Sequence, residues 1–183
     1  PLVIRGSILS GLRYQLPVAS AQVKSALMLA ALKADSETLL SEPQKSRDHS
    51  ERMLTAMGAD IAINGQEIKI KPGKELQAME FLVPGDISSA AFFMVAASII
   101  PGSELLIRNV GVNPSRAGII EILNKMGARI KLENERTISG EAVADIIVKH
   151  SPLRAVNIDG AVIPRLIDEI PILAVAMALA EGK

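Results

Sequence analysis

Three stretches of this chain are apolar on nearly every side of a helix. From Ala21 to Leu32 only Gln22, Lys24 and Ser25 interrupt the run; from Ala90 to Ile100 only Ser98 does; from Ile170 to Ala180 no polar side chain occurs. A helix that is oily all round cannot lie on a wet surface and has to be enclosed. Runs of this length fall short of the roughly 20 apolar residues that cross a bilayer, so protein rather than lipid is expected to enclose them. Only 2% of the 183 residues are aromatic, so the enclosing core is aliphatic, built from Leu, Ile, Val, Ala and Met.

The segments after these runs repeat. After the first come a short strand at Thr38–Leu40, a polar turn, an amphipathic helix at Asp48–Met57 and the sequence MGAD. The strands Ile61–Ile63 and Ile68–Ile70 complete the series, and Ile68-Lys69-Ile70-Lys71 alternates as a half-exposed strand does. From Ser88 the order returns: apolar helix, strand Leu105–Ile107, amphipathic helix Ser115–Met126, MGAR, strand Ile130–Leu132. Leu54 with Met57, and Ile119, Ile120, Leu123 with Met126, form stripes at helical spacing. Gly58 and Gly127 stand where left-handed helix caps belong. The two MGA triplets lie 69 residues apart, a period that suits a duplicated βαβαββ-like unit rather than a short solenoid repeat. A third unit begins at Asp168. The fold class expected is therefore α/β, made of repeated βαβαββ units around buried helices. Pro72-Gly73 and Pro84-Gly85 flank the join between the first two units, which places a crossing near residues 80 to 86.

Composition removes several functions. Twenty basic and twenty acidic residues balance, which argues against a general nucleic-acid or anionic-membrane binder. Without Cys there is no disulfide, thiol nucleophile or thiolate metal site, as suits a reducing compartment. His49 and His150 are the two histidines, too few for a histidine-rich metal site. The first ten residues, PLVIRGSILS, lack a signal-peptide pattern. No GxGxxG, GxxxxGK[ST], HExxH or GxSxG occurs. A chain that starts at Pro1 and stops at AEGK is expected to be an excerpt of a longer protein.

The polar residues at the mouths of the apolar helices are the candidates for chemistry. Ser20 suits an N-cap whose hydroxyl accepts a first-turn N–H. The same mouth, with unpaired N–H groups and a partial positive charge, also suits a phosphate or carboxylate, and Gln22 could add an amide. Both readings of Ser20 stand at this point. Ser46-Arg47-Asp48-His49-Ser50 opens the second helix, with Asp48 or Ser46 as its expected cap. Arg47 matters if its planar fork points into a cleft. His49 is expected at the surface. Asp168 and Glu169 open the third apolar helix, where carboxylates suit the dipole and Pro171 suits the first turn. Asp86 holds the matching place in the middle unit, as a cap or hinge.

Three of these segments, in this order, carry a resemblance: Pro17-Val-Ala-Ser-Ala-Gln-Val-Lys-Ser-Ala26, Ser46-Arg-Asp-His-Ser-Glu-Arg-Met-Leu54 and Ile167-Asp-Glu-Ile-Pro-Ile-Leu-Ala-Val-Ala176. They resemble the 3-phosphoshikimate 1-carboxyvinyltransferases, or EPSP synthases. The SAQVKSA and RDH forms are similar to the class II, glyphosate-tolerant bacterial branch. The resemblance covers essentially the whole chain, which would be somewhat under half of such an enzyme, from its middle. It implies an inside-out α/β barrel fold of two domains, each of three βαβαββ units, closing on substrate at a hinge. Residues 1–82 would end one domain and residues 83–183 would begin the second stretch of the other.

The activity so implied moves the enolpyruvyl group of phosphoenolpyruvate onto the 5-hydroxyl of shikimate 3-phosphate and releases phosphate. The setting would be the cytoplasm, with no metal or redox cofactor, and the full-length enzyme would be a monomer. Ser20, Ala21 and Gln22 would hold shikimate 3-phosphate, Ser20 at its phosphate. Gln22 would also lie beside phosphoenolpyruvate, Arg47 would touch the shikimate part, and Asp168 would bind its hydroxyls and accept a proton. The family's N-terminal substrate lysine, its phosphoenolpyruvate-binding arginine and a later Lys-Glu-Ser-Asp-Arg stretch fall outside these residues, so this chain alone is expected to be inactive. Two other readings remain open. One is the sister enzyme, UDP-N-acetylglucosamine enolpyruvyl transferase. The other is a non-catalytic module of a larger assembly.

Overall fold

Two helices of this protein end in the same way, and the shared ending shows how the chain is laid out. The structure is a computed structural model that describes residues 2–158 and 160–182. Helix α2, His49–Ala56, and helix α4, Gly118–Lys125, each run into a methionine and then a glycine with positive φ, +92° at Gly58 and +89° at Gly127. In the first, the N–H of Ala59 donates to the carbonyl of Leu54 and that of Gly58 to Thr55; in the second, Ala128 donates to Leu123 and Gly127 to Asn124. Both are Schellman caps, which use up the last orphan carbonyls and turn the chain out of the helix. Each delivers the chain into a strand, which is why the MGA triplets mark equivalent places.

The chain divides into two compact units, Pro1–Glu80 and Phe81–Lys183. In the first, strand β1 (Arg13–Gln15) precedes helix α1 (Ala21–Ala31), strand β2 (Thr38–Ser41), α2, and the hairpin of β3 (Asp60–Asn64) and β4 (Glu67–Lys71). The sheet order is β1-β2-β4-β3, with β1 parallel to β2 and the other pairs antiparallel. Ile68 and Ile70 turn inward and Lys69 and Lys71 outward, as the alternation required. Leu16, Met28, Leu40, Leu54, Ile68 and Ile70 form the core of this unit.

In the second unit, helix α3 (Ile87–Ile99) is followed by strand β5 (Glu104–Gly111), α4, and strands β6 (Arg129–Ile138) and β7 (Glu141–Lys149). Strand β7 lies between β5 and β6, antiparallel to both. A single parallel bridge joins Gly85 to Val110, in the place that β1 takes beside β2. Both units thus run helix, strand, helix, strand, strand. The turn between β6 and β7 uses Ser139 and Gly140, both at positive φ, as a tight hairpin of matching twist requires. Two 3₁₀ turns, Gly160–Arg165 and Ile167–Glu169, lead into helix α5, Ile170–Ala178, with Pro171 in its first turn. Strands β1 and β7 are additions to the elements expected from the sequence, and α5 stops two residues short of Ala180.

The apolar helices are less enclosed than their composition demands. Helix α3 buries seven residues between its sheet and α5, yet Phe92 and Phe93 remain 55% and 61% exposed. Helix α1 buries Lys24, Met28 and Ala31 while Val23 and Leu29 face outward; α5 buries only Leu173 and Ala176. Among the described residues, each rod is covered on one side by its own unit. A sheet can shield only the face laid against it. No helix among the described residues is long and apolar enough to cross a membrane.

Gly127→Ala tests the caps. A Cβ there would meet only the Pro152 carbonyl oxygen at an ordinary 3.6 Å, so the cost is that of a left-handed backbone, about 1–2 kcal/mol. At Gly11 a Cβ would lie 2.3 Å from the Glu37 carbonyl oxygen, so Gly11→Ala has to displace backbone and is expected to cost more than Gly127→Ala. Urea unfolding of the two variants beside the parent chain measures both losses; equal stability of all three would contradict the geometry.

Candidate functional site

The mouth of α1 is built by one serine. Ser20 leaves the helix in extended backbone, φ −121° and ψ 109°, and its Oγ accepts the Val23 N–H at 3.3 Å. The cap reading of Ser20 is what the local geometry shows. Ser20 and Ala21 are half-buried, and Gln22 is exposed. A polar cap followed by a first turn of open N–H groups leaves this end suited to a negative charge.

The side chain that ties this mouth to its surroundings is Lys24. In the sequence it is only a break in an apolar run, but in the structure it is 0% exposed and its Nζ lies 3.1 Å from Glu42 Oε2 and 2.6 Å from Glu51 Oε1. Both carboxylates are buried as well. Glu42 also accepts the backbone N–H of Ser46 at 3.3 Å and the Ser46 hydroxyl. One lysine on α1 therefore grips the end of β2, through Glu42, and the first turn of α2, through Glu51. The hydroxyls of Ser25 and Ser50 meet at 2.5 Å and add a second tie between the two helices. Arg47 lies half-buried in the strap between these anchors, so its backbone is fixed on both sides.

The expected cap of α2 is corrected. Asp48 stands at the N-cap position but makes no side-chain cap; its carboxylate takes the Arg52 guanidinium instead, at 3.0 Å to each oxygen. A bidentate pair to a guanidinium outcompetes a neutral amide for that carboxylate. The Ser46 hydroxyl is turned to Glu42 and is equally lost as a cap. His49, expected at the surface, is half-buried in the first turn.

In the second unit the polar residues gather at the start of α3. Asp86 caps it, accepting from the Ser89 N–H at 2.8 Å and the Ser89 hydroxyl at 2.9 Å. Arg116 brings its Nη2 to 3.2 Å from Asp86, 2.7 Å from the Ser88 hydroxyl and 3.9 Å from Asp168 Oδ2. The Ser88 hydroxyl in turn donates to Glu169, which is 1% exposed. Neither Asp168 nor Glu169 caps α5 by its side chain; both lie in the 3₁₀ turn before it. Burial pushes the Asp86 carboxyl up, but the Ser89 N–H and hydroxyl and the Arg116 charge together hold it below the usual aspartate value.

Ser20, Ala21, Gln22 and Arg47 thus belong to the first unit, and Asp168 to the second. Sequence reasoning missed Lys24, Glu42, Glu51 and Arg116. A lone lysine in an apolar helix was the available signal for the first, since a buried charge has to find a partner.

A family model described as EPSP synthase, 3-phosphoshikimate 1-carboxyvinyltransferase, matches residues 1–183. The chain belongs to the EPSP synthase family. It is 89% identical over its whole length to the 3-phosphoshikimate 1-carboxyvinyltransferase of Syntrophomonas wolfei and 58% identical to that of Geotalea daltonii, and spans 43% of the length of each. An EPSP synthase structure from Acinetobacter baumannii superposes with a TM-score of 0.89 at 48% identity, over 97% of this chain and 40% of that one. The enolpyruvyl transferase NikO from Streptomyces tendae shares the fold, with a TM-score of 0.75 at 21% identity. The mixed α/β architecture of the family is thus the architecture of this chain.

Two outcomes are expected from the site geometry. Lys24→Met leaves the Glu42 and Glu51 carboxylates buried without their cation and is expected to cost about 3–5 kcal/mol by urea unfolding; a loss below about 1 kcal/mol would deny the triad. Because the Asp86 carboxyl is held low in the folded state, its stabilisation is present above the ordinary value of 3.8 and is lost as pH falls below it. Thermal unfolding between pH 6 and pH 3, taken as about the carboxylate range, is expected to show a smaller acid-induced drop for Asp86→Asn than for the parent.

Proposed function

We propose that this chain supplies part of the active site of an enzyme that transfers the enolpyruvyl group of phosphoenolpyruvate to the 5-hydroxyl of shikimate 3-phosphate. The observation that carries the reading is the hydroxyl-capped mouth of α1, joined through buried Lys24 to the strap that holds Arg47. That arrangement, in a member of this family, is a ready receptor for a phosphorylated polyol. Ser20 and the first-turn N–H groups of α1 meet the phosphate of shikimate 3-phosphate, with Ala21 and Gln22 beside it. Gln22 reaches phosphoenolpyruvate as well, and Arg47 meets the shikimate part. The two units are the end of one domain, residues 1–82, and the start of the second stretch of the other, residues 83–183. Each is built on the family's repeated βαβαββ plan, and the domains are inside-out barrels that close on substrate in a cytoplasmic enzyme.

The chemistry needs a proton delivered to C3 of phosphoenolpyruvate while the 5-hydroxyl oxygen bonds to C2. The hydroxyl proton leaves to a base; the tetrahedral adduct then gives up a proton from its C3 methyl group to a base and expels phosphate as the C2–C3 double bond forms again. Asp168 is the base for the hydroxyl proton. Its carboxylate is exposed enough to reach a ligand, at 49% of its side chain, and a carboxylate within hydrogen-bond reach can take such a proton. Cationic groups and helix N-termini stabilise the anionic substrates and adduct.

The test uses a full-length protein made by setting these 183 residues in place of the matching stretch of the Syntrophomonas wolfei relative. Shikimate 3-phosphate is expected to raise its melting temperature and UDP-N-acetylglucosamine to leave it unchanged; the reverse would favour the sister activity. Asp168→Asn is expected to lower kcat about 10²–10⁴-fold, and Arg47→Ala to raise KM for shikimate 3-phosphate about tenfold or more. Unchanged turnover in both would point to a non-catalytic module. Purified alone, the 183-residue chain is expected to release no phosphate.

A further inference from the structure

Arg116 sits between two carboxylates, Asp86 and Asp168, and beside the Ser88 hydroxyl, and the proposed reaction gives it no direct contact with either substrate. Its position is set before any ligand arrives. The loop that carries it is wound around Asn113, whose side-chain oxygen accepts the Ser115 N–H at 2.9 Å and hydroxyl at 2.7 Å, and whose amide donates to Glu141 at 2.9 Å. The N–H groups of Arg116 and Ala117 both donate to the Asn113 carbonyl, at 2.8 and 3.0 Å. Asn113 is buried, so this loop is fastened to the start of β7.

From that fixed base the guanidinium reaches across to the mouth of α3. Its Nη2 donates to Ser88 Oγ, and Ser88 directs its own proton to the buried carboxylate of Glu169. Glu169 is the next residue after Asp168, so the relay pins the backbone on which Asp168 stands. The same nitrogen lies 3.9 Å from Asp168 Oδ2. That is beyond a hydrogen bond but close enough for attraction between opposite charges, tempered by solvent at the half-exposed Asp168. The arginine thus acts on Asp168 twice, through the chain by way of Ser88 and Glu169, and through space by charge. Asp86 holds the same nitrogen at 3.2 Å, so protein groups already engage this end of the guanidinium.

We propose that Arg116 is a positioning residue for the reaction: it holds the Asp168 carboxylate in place to take the hydroxyl proton, without touching substrate. The proposal rests on Asp168 being the base, so its test is a double-mutant cycle with that residue in the full-length protein that carries these 183 residues in the Syntrophomonas wolfei frame. Arg116→Gln is expected to lower kcat roughly 30- to 100-fold, since small misplacements of a reacting group cost rates of that order, with KM for both substrates changed less than about threefold. In the Asp168→Asn background the same substitution is expected to lower kcat less than about twofold, because residues that act as a unit are not additive. A purely structural arginine would lower the melting temperature and leave kcat of the folded enzyme alone, which overturns the proposal. So does an equal kcat loss in both backgrounds. If Asp168→Asn itself keeps full turnover, the base assignment fails first and this role with it. If Asp168→Asn loses turnover as expected while Arg116→Gln keeps the kcat of the parent, only the role of Arg116 fails. Arg116→Lys keeps the charge that reaches Ser88 and decides the matter should Arg116→Gln not fold. Its kcat is expected within about fivefold of the parent, and a hundredfold loss at unchanged melting temperature would show that the planar group acts on substrate itself.

Discussion

A lysine ammonium sealed from water between two carboxylates governs the first unit. Taking one cation and two anions out of solvent is costly, and only close, hydrogen-bonded contact offsets the cost. Lys24 therefore cannot be moved without Glu42 and Glu51, nor they without it. Since the three residues stand on α1, just past β2 and on α2, the constraint is tertiary: it fixes where one helix mouth lies relative to the strap that bears Arg47. Hydrophobic contacts among Met28, Leu40 and Leu54 hold the same elements together but tolerate sliding. Charge pairing does not, because a shift of an ångström leaves a buried ion without its partner.

The second unit solves the related problem at its own helix mouths with a different device. There the central cation is on a loop, and the groups that meet it are a capping aspartate and a serine that relays to a buried glutamate. In both units a polar network stands where an apolar helix begins. This is where a protein of oily rods finds room for polar groups, since the rods offer few along their sides.

Local signals in the sequence carried far. The Met-Gly pairs announced the Schellman caps, because only glycine turns left-handed at low cost there. The alternation of Ile68, Lys69, Ile70 and Lys71 showed which face of β4 is inward. The order of elements came from the repeat. What stayed hidden depended on partners far along the chain. Asp48 and Ser46 are both good caps by type, and nothing near them says that Arg52 and Glu42 claim their side chains first. Lys24 was visible as an anomaly, but its two partners, 18 and 27 residues later, could not be named from spacing. Arg116 gave less warning still, since an arginine before an amphipathic helix is usually a solvated one. Strand β7 was overlooked because no turn signal as plain as a Pro-Gly pair divides it from β6. The identity of the family was legible because three motifs occur in order; their side-chain roles were not, because a role depends on what a group touches.

The half-covered rods have a consequence for how this polypeptide behaves in a tube. Phe92, Phe93, Val23, Leu29, Val175 and Met177 present oily surface to water on three helices. Patches of that kind are what makes folded chains stick to one another. A solution of this stretch is therefore open to self-association at high concentration, which light scattering would read directly.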